Sequence, residues 1–176
     1  MDFFELINKR YSCRHFSDQK IDHEKLEQIV NFARLAPSAV NGQPWFVHIV
    51  QTEDILNKAK AACTYLGMNW FVRKAQALLI VTEATDNIIS STISKMKDVD
   101  FKTLDIGIFT AHLTLGATSL DIGSCILGWF NENQLKDALN LSKSSKVRIV
   151  IALGYPENAN HKTKNRKDID QIRKYY

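Results

Sequence analysis

The spacing of apolar residues changes several times along this 176-residue chain, and each change marks an element. Leu26, Ile29, Val30 and Ala33 recur three and four positions apart, which predicts an amphipathic helix opening after Asp22 and running to about Leu35. Pro37 disfavours helical geometry at Ala36 and ends it there. WFVHIV, Trp45–Val50, is aromatic and β-branched, with Pro44 where a strand can begin. ALLIVTEA, Ala77–Ala84, is apolar almost throughout, the pattern of a central strand covered on both faces. Weaker patterns predict a short helix over 2–8, a helix from Thr52 to about Ala62, a helical stretch over Met68–Lys74, and a mixed helical segment with a loop over 86–102.

The longest helix is predicted over Thr103–Leu120. Its apolar residues Ile106, Ile108, Phe109, Leu113, Leu115 and Leu120 occupy nearly every face, so it belongs inside a structure or in a subunit interface. GSCILGWF reads as a short strand, Asn131 with Gln134 as the start of another helix, and KVRIVIALGYP as a buried strand stopped by Gly154 and Pro156. About four strands lie among helices, with no repeat or linker. The expected fold is one α+β domain spanning 1–176, a sheet flanked by helices, with a basic tail over 157–176.

A hydrophobic fraction of 45% and a charged fraction of 24% suit a globular chain, and no apolar run is long enough to span a membrane. The N-terminal segment lacks the basic, apolar and small-residue zones of a secretory signal. Cys13, Cys63 and Cys125 are widely spaced and odd in number, which disfavours a disulfide framework. A cytoplasmic location is expected. CxxC and HExxH spacings are absent, so no metal site is expected.

The net charge of +4 is concentrated at the two ends, in NKRYSCRHF and NHKTKNRKDIDQIRKYY. An extended segment would point Arg10, Ser12 and Arg14 the same way, a receptor for a phosphate or other anion; a solvated basic loop explains the same residues. The tail, with Lys162, Lys164, Arg166 and Lys167, reads as solvated charge, and it lacks the interleaved aromatics of a single-strand nucleic-acid platform. LAPSAVNGQPW is a helix–loop–strand connection in which Gly42 is expected to take the φ that other residues avoid. That reading leaves Ser38, Asn41 and Gln43 unexplained. Cys125 reads as a small buried thiol and His112 as a core or interface histidine. The other histidines show no partner pattern, and no acid, base or nucleophile stands out.

Four segments in this order, NKRYSCRHF, ARLAPSAVNGQPWFVHIV, LDIGIFTAHLTLGATSLDIGSCILGWF and KVRIVIALGYP…KNRKDID, resemble the nitroreductase family of FMN enzymes in its short, single-domain form. The resemblance implies a mixed, largely antiparallel sheet wrapped by helices in an intertwined homodimer, with FMN in clefts between the subunits. Pro37, Ser38, Ala39 and Asn41 would reach the partner's flavin, supported by Gln43. Arg10, Ser12 and Arg166, with Lys164 beside them, would hold the phosphate and ribityl end, and Tyr11 would contribute through its backbone. Arg14 would lie near the pyrimidine edge, Ile126, Leu127 and Gly128 beside N5, and Asn69 would be a further contact.

The resemblance implies an oxidoreductase that passes hydride from NADH or NADPH through the flavin to a small acceptor such as a nitroaromatic, quinone or enone, without a catalytic side chain. Nucleic acid and membrane are not expected partners. The alternatives are a specialised flavin enzyme of the same fold, dehalogenase-like or flavin-degrading, and a non-catalytic basic module binding flavin or RNA. Ala39 stands where the family often has a second serine, Asp168 where a proline commonly follows the basic pair, and the segment before the long helix is too short for an extended lid.

Overall fold

The computed structural model describes residues 1–84, 99–158 and 164–176. The part of the predicted 86–102 segment up to residue 98, together with Lys162 and His161, lies outside them. The helices are α1 (Phe3–Lys9), α2 (His23–Ala33), α3 (Glu53–Cys63), α4 (Phe101–Ser119) and α5 (Glu132–Ala138); the strands are β1 (Trp45–Val50), β2 (Ala77–Glu83), β3 (Gly123–Leu127) and β4 (Val147–Gly154). The sheet order is β1-β2-β4-β3, and all three pairings are antiparallel. Its parallel character is confined to an isolated bridge between Ser12 and Ser124.

Strand alternation divides the core in two. Leu78 and Ile80 of β2 join the layer formed with α3 and α5, where Leu56, Ala59 and Leu135 are buried. Leu79 and Val81 face the layer of α2 and α4, built on Leu26, Ile29, Ile106, Phe109 and Leu113. Trp45 stacks on Phe109 with ring centroids 4.5 Å apart, tying the edge strand β1 to α4. Burying a side chain of this size stabilises by about 1.5–3 kcal/mol, which is what covers both faces of β2.

Several boundaries differ from the reading of the pattern. α2 stops at Ala33, one turn before Pro37. The 68–74 stretch is a tight 3₁₀ segment, Trp70–Lys74, entered through Asn69 in the left-handed region at φ 52°. Asn131 does cap α5, its side chain accepting the Gln134 N–H at 3.1 Å. Two histidines find partners that spacing did not suggest: His48 meets Thr82 across the strands at 3.1 Å, and His23 lies 3.5 Å from Glu27.

The face of α4 away from the sheet carries exposed apolar residues that no other described element covers. Leu104 is 56% exposed and Ile108 39%, with Gly107 and Ala111 exposed between and beyond them. Nothing lies within 4 Å of where a Gly107 Cβ would sit. The core half of the expectation for this helix describes its inner face, where Ile106, Phe109 and Leu113 are buried. No helix among the described residues is long and apolar enough to cross a membrane.

Candidate functional site

After α1 the chain runs along the free edge of β3. Ser12 bridges Ser124, and the Cys13 N–H donates to the Ser124 carbonyl at 2.9 Å. Side chains alternate from there: Cys13 is buried, whereas Ser12 and Arg14 face outward and are exposed. The approach is so close that a Cβ at Gly123 would lie 2.9 Å from both Cβ and Sγ of Cys13. Tyr11 packs its ring against the core and donates its hydroxyl to Cys13 Sγ at 3.6 Å; burial first, and that contact second, push it up to about 12. Burial also raises the Cys125 thiol, opposed by the positive charges of Arg14 and Arg10. Arg14 lies 5.8 Å from the centroid of the Phe71 ring.

The basic tail returns to the same place. Lys164 Nζ donates to the carbonyls of Ile7 and Asn8, 2.6 Å each, capping the last turn of α1. Its pKa is lowered by desolvation and then by the like charges of Arg10 and Arg166. Lys164 thus ties the basic tail to the end of α1, directly before Arg10, where like charges act on one another.

At the end of β3, Ile126 is 45% exposed and the Leu127 side chain is buried, while the following Gly128 has open space where a Cβ would be. Leu127 therefore offers a ligand on this side only its backbone. Asn69 is tied elsewhere: its amide donates to the carbonyls of Cys63 at 3.3 Å and Trp129 at 3.0 Å, holding the segment that follows Gly128.

The turn after α2 is built differently from expectation. Gly42 sits at φ −69°, an ordinary helical value, and the left-handed positions are Val40 at 49°, Asn41 at 54° and Gln43 at 45°. Internal hydrogen bonds over-determine this shape. The Gln43 N–H donates to Ser38 Oγ at 3.0 Å, and the Gln43 side-chain amide donates to the carbonyl and Oδ1 of Asn41, 3.3 Å each. The Ala39 N–H donates to both carboxylate oxygens of Asp105 on α4 at 3.1 Å. Asp105 is 5% exposed, and sequence reasoning missed it; an aspartate among the apolar residues of the long helix was the available signal. Non-glycine residues in the left-handed region cost about 1–3 kcal/mol each and persist where the surroundings impose them, often at ligand sites.

The turn and the cationic cluster are far apart in one chain. Asp105 anchors the turn near the start of α4, whereas Lys9 pairs with Asp121 just past its end and carries Arg10 there. At about 1.5 Å per helical residue, the two anchors stand over 20 Å apart along the α4 axis.

A sequence model of the nitroreductase family matches residues 7–67 and 65–155. A protein of Archaeoglobus fulgidus, named for NADH dehydrogenase or NAD(P)H nitroreductase, is 32% identical over 88% of this chain and 85% of its own length. The oxygen-insensitive NADPH nitroreductase of Helicobacter pylori strain J99 is 26% identical over 96% of this chain and 94% of its own. A structure from Exiguobacterium sibiricum, described as a nitroreductase in complex with FMN, superposes with a TM-score of 0.83 at 20% identity, covering 100% of this chain and 98% of that one. The family model spans most of the sequence and the Archaeoglobus relative covers it nearly end to end, and the chain belongs to the nitroreductase family.

Proposed function

We propose that the chain is a single FMN-binding domain, residues 1–176 with the 157–176 tail as part of it, that works as a cytoplasmic homodimeric NAD(P)H oxidoreductase. The observation that carries this reading is Lys164 on the Ile7 and Asn8 carbonyls, which brings the basic tail to Arg10 and to the segment of exposed Ser12 and Arg14 along β3. A phosphate-bearing planar ligand fits these features: cations for the phosphate, a hydroxyl and outward loop for the polyol, and an uncovered backbone at Gly128 for the ring. When bound, FMN supplies the redox chemistry, accepting hydride from NADH or NADPH and passing it to a small acceptor such as a nitroaromatic, quinone or enone.

The chain's own residues bind and orient. Arg10 and Arg166 neutralise the phosphate, and Lys164 joins them while capping α1. Arg14 places fixed positive charge beside the ring, favouring the form in which negative charge develops. The backbone from Ile126 to Gly128 lines the reacting edge, with Leu127 contributing no side chain there. Asn69 acts through Trp129 by positioning that backbone. Protons come from water.

The second half of the site comes from a second copy. The turn of Pro37, Ser38, Ala39 and Asn41 stands at the opposite end of α4 from the cations of its own chain, so one compact ligand meets both only if a partner helix runs the other way. The exposed Leu104, Gly107 and Ile108 supply the face for such an isologous contact. The three cysteines, all free and buried, suit a reducing compartment.

Titration of FMN into Arg10→Ala and Arg166→Ala tests the placement of the phosphate. Each loses a charge-assisted contact, so the expected loss of affinity is about tenfold or more. Unchanged FMN affinity in both variants would overturn it.

A further inference from the structure

A polar cavity of about 190 Å³ opens between the C-terminal half of α3 and the 3₁₀ segment Trp70–Lys74, lined by Asn57, Lys60, Ala61, Thr64 and Arg73. It has room for a phosphate group, since a water occupies about 30 Å³. Lysines nearby are paired: Lys58 with Asp54 at 2.7 Å and Lys74 with Asp18 at 2.9 Å. Lys60 and Arg73, which face the cavity, have no ion-pair partner among the described residues. Glu53 and Lys20 act on Lys60 only from a distance, and Arg73 lies 3.8 Å from the ring centroid of Trp70, itself 55% exposed. The carbonyls of Lys60 and Ala61, which would repel an anion at a helix C-terminus, are covered by the Thr64 N–H and hydroxyl at 3.0–3.2 Å.

The cavity adjoins the flavin site. The same 3₁₀ segment carries Phe71 against Arg14, and Asn69 just before it holds the carbonyl of Trp129 next to Gly128. One short helical segment, Trp70–Lys74, thus carries residues that face both.

We propose that Lys60 and Arg73 bind the 2′-phosphate of NADPH, with the exposed Trp70 as a flat surface for the adenine, and that they make the enzyme prefer NADPH to NADH. The proposal rests on the flavin reading above. Two cations without a carboxylate complement a dianionic monoester, which NADH lacks.

The test is Lys60→Ala and Arg73→Ala, read by kcat/KM for both nicotinamides and by calorimetric titration of adenosine 2′,5′-bisphosphate against adenosine 5′-monophosphate. Wild type is expected to favour NADPH and the bisphosphate. Each variant loses about tenfold for both, with NADH changed less than about twofold and FMN affinity kept. An equal loss for NADPH and NADH would assign the cavity to the shared pyrophosphate and overturn the proposal. So would a wild-type protein that does not distinguish the two adenosine phosphates. Failure of the flavin reading is distinguishable, because it shows as absent FMN binding in wild type whatever the calorimetry gives.

Discussion

The backbone N–H of Ala39 donates to both carboxylate oxygens of the buried Asp105, 66 residues away, fixing an exposed turn to the long helix α4. Asp105→Ala leaves that N–H without its acceptor, at a cost of about 1–3 kcal/mol. FMN affinity should fall about tenfold as the turn relaxes, and Asp105→Asn, which retains one oxygen acceptor, should recover most of it. Fluorescence titration of FMN checks the ordering. Equal affinity in all three proteins would separate the turn from the flavin.

Val40 makes a second point about the same turn. It is β-branched, 51% exposed and held at φ 49°. Val40→Gly removes strain of about 1–3 kcal/mol and adds unfolded-state entropy of about 0.5–1 kcal/mol. Urea unfolding of the apoprotein should therefore show a gain of roughly 1 kcal/mol, with weaker FMN binding because the turn is no longer preset. A loss of stability would contradict the strain account.

These two residues mark the limit of what the chain's pattern discloses. Local rules locate β1 at Trp45–Val50 and the Asn131 cap, because alternation and capping act within a few residues. The turn's geometry is imposed from outside by Asp105, so the residue best suited to positive φ, Gly42, does not use it while Val40 does. Likewise the basic tail reads as solvated charge until Lys164 is seen on the Ile7 and Asn8 carbonyls, a contact between opposite ends of the chain. The resemblance to a family singled out Ala39 and Lys164 as candidates, which spacing alone did not, and it named neither Val40 nor Asp105.

The uncovered face of α4 predicts an oligomer. Ile108→Lys puts a charge into an apolar contact and should shift the protein from dimer to monomer in light scattering, with FMN lost at the same time. Gly107→Ala, which meets nothing in its own chain, should stabilise an isolated helix by about 1 kcal/mol yet weaken the dimer where a partner backbone approaches. A monomeric wild type that still binds FMN would refute the shared site.

Cys63 contributes a pH dependence of known sign. Burial pushes its thiol up to about 12, so the native state keeps a proton that the unfolded chain releases near its ordinary value. The stabilisation is complete below that ordinary value and is lost as pH rises towards the native one. Cys63→Ala should lose roughly 2–3 kcal/mol less than wild type between pH 7.5 and 10.5, by urea unfolding. Parallel losses in both proteins would show that the thiol does not titrate as described.

The central claim is that bound FMN carries hydride from a nicotinamide to an acceptor. Its most direct test is the visible spectrum of purified, FMN-loaded protein under anaerobic conditions, before and after NADPH and then a nitroaromatic or quinone. The flavin bands should bleach with NADPH and return when the acceptor is added. A protein that takes up no FMN, or a bound flavin that neither nicotinamide bleaches, would contradict it.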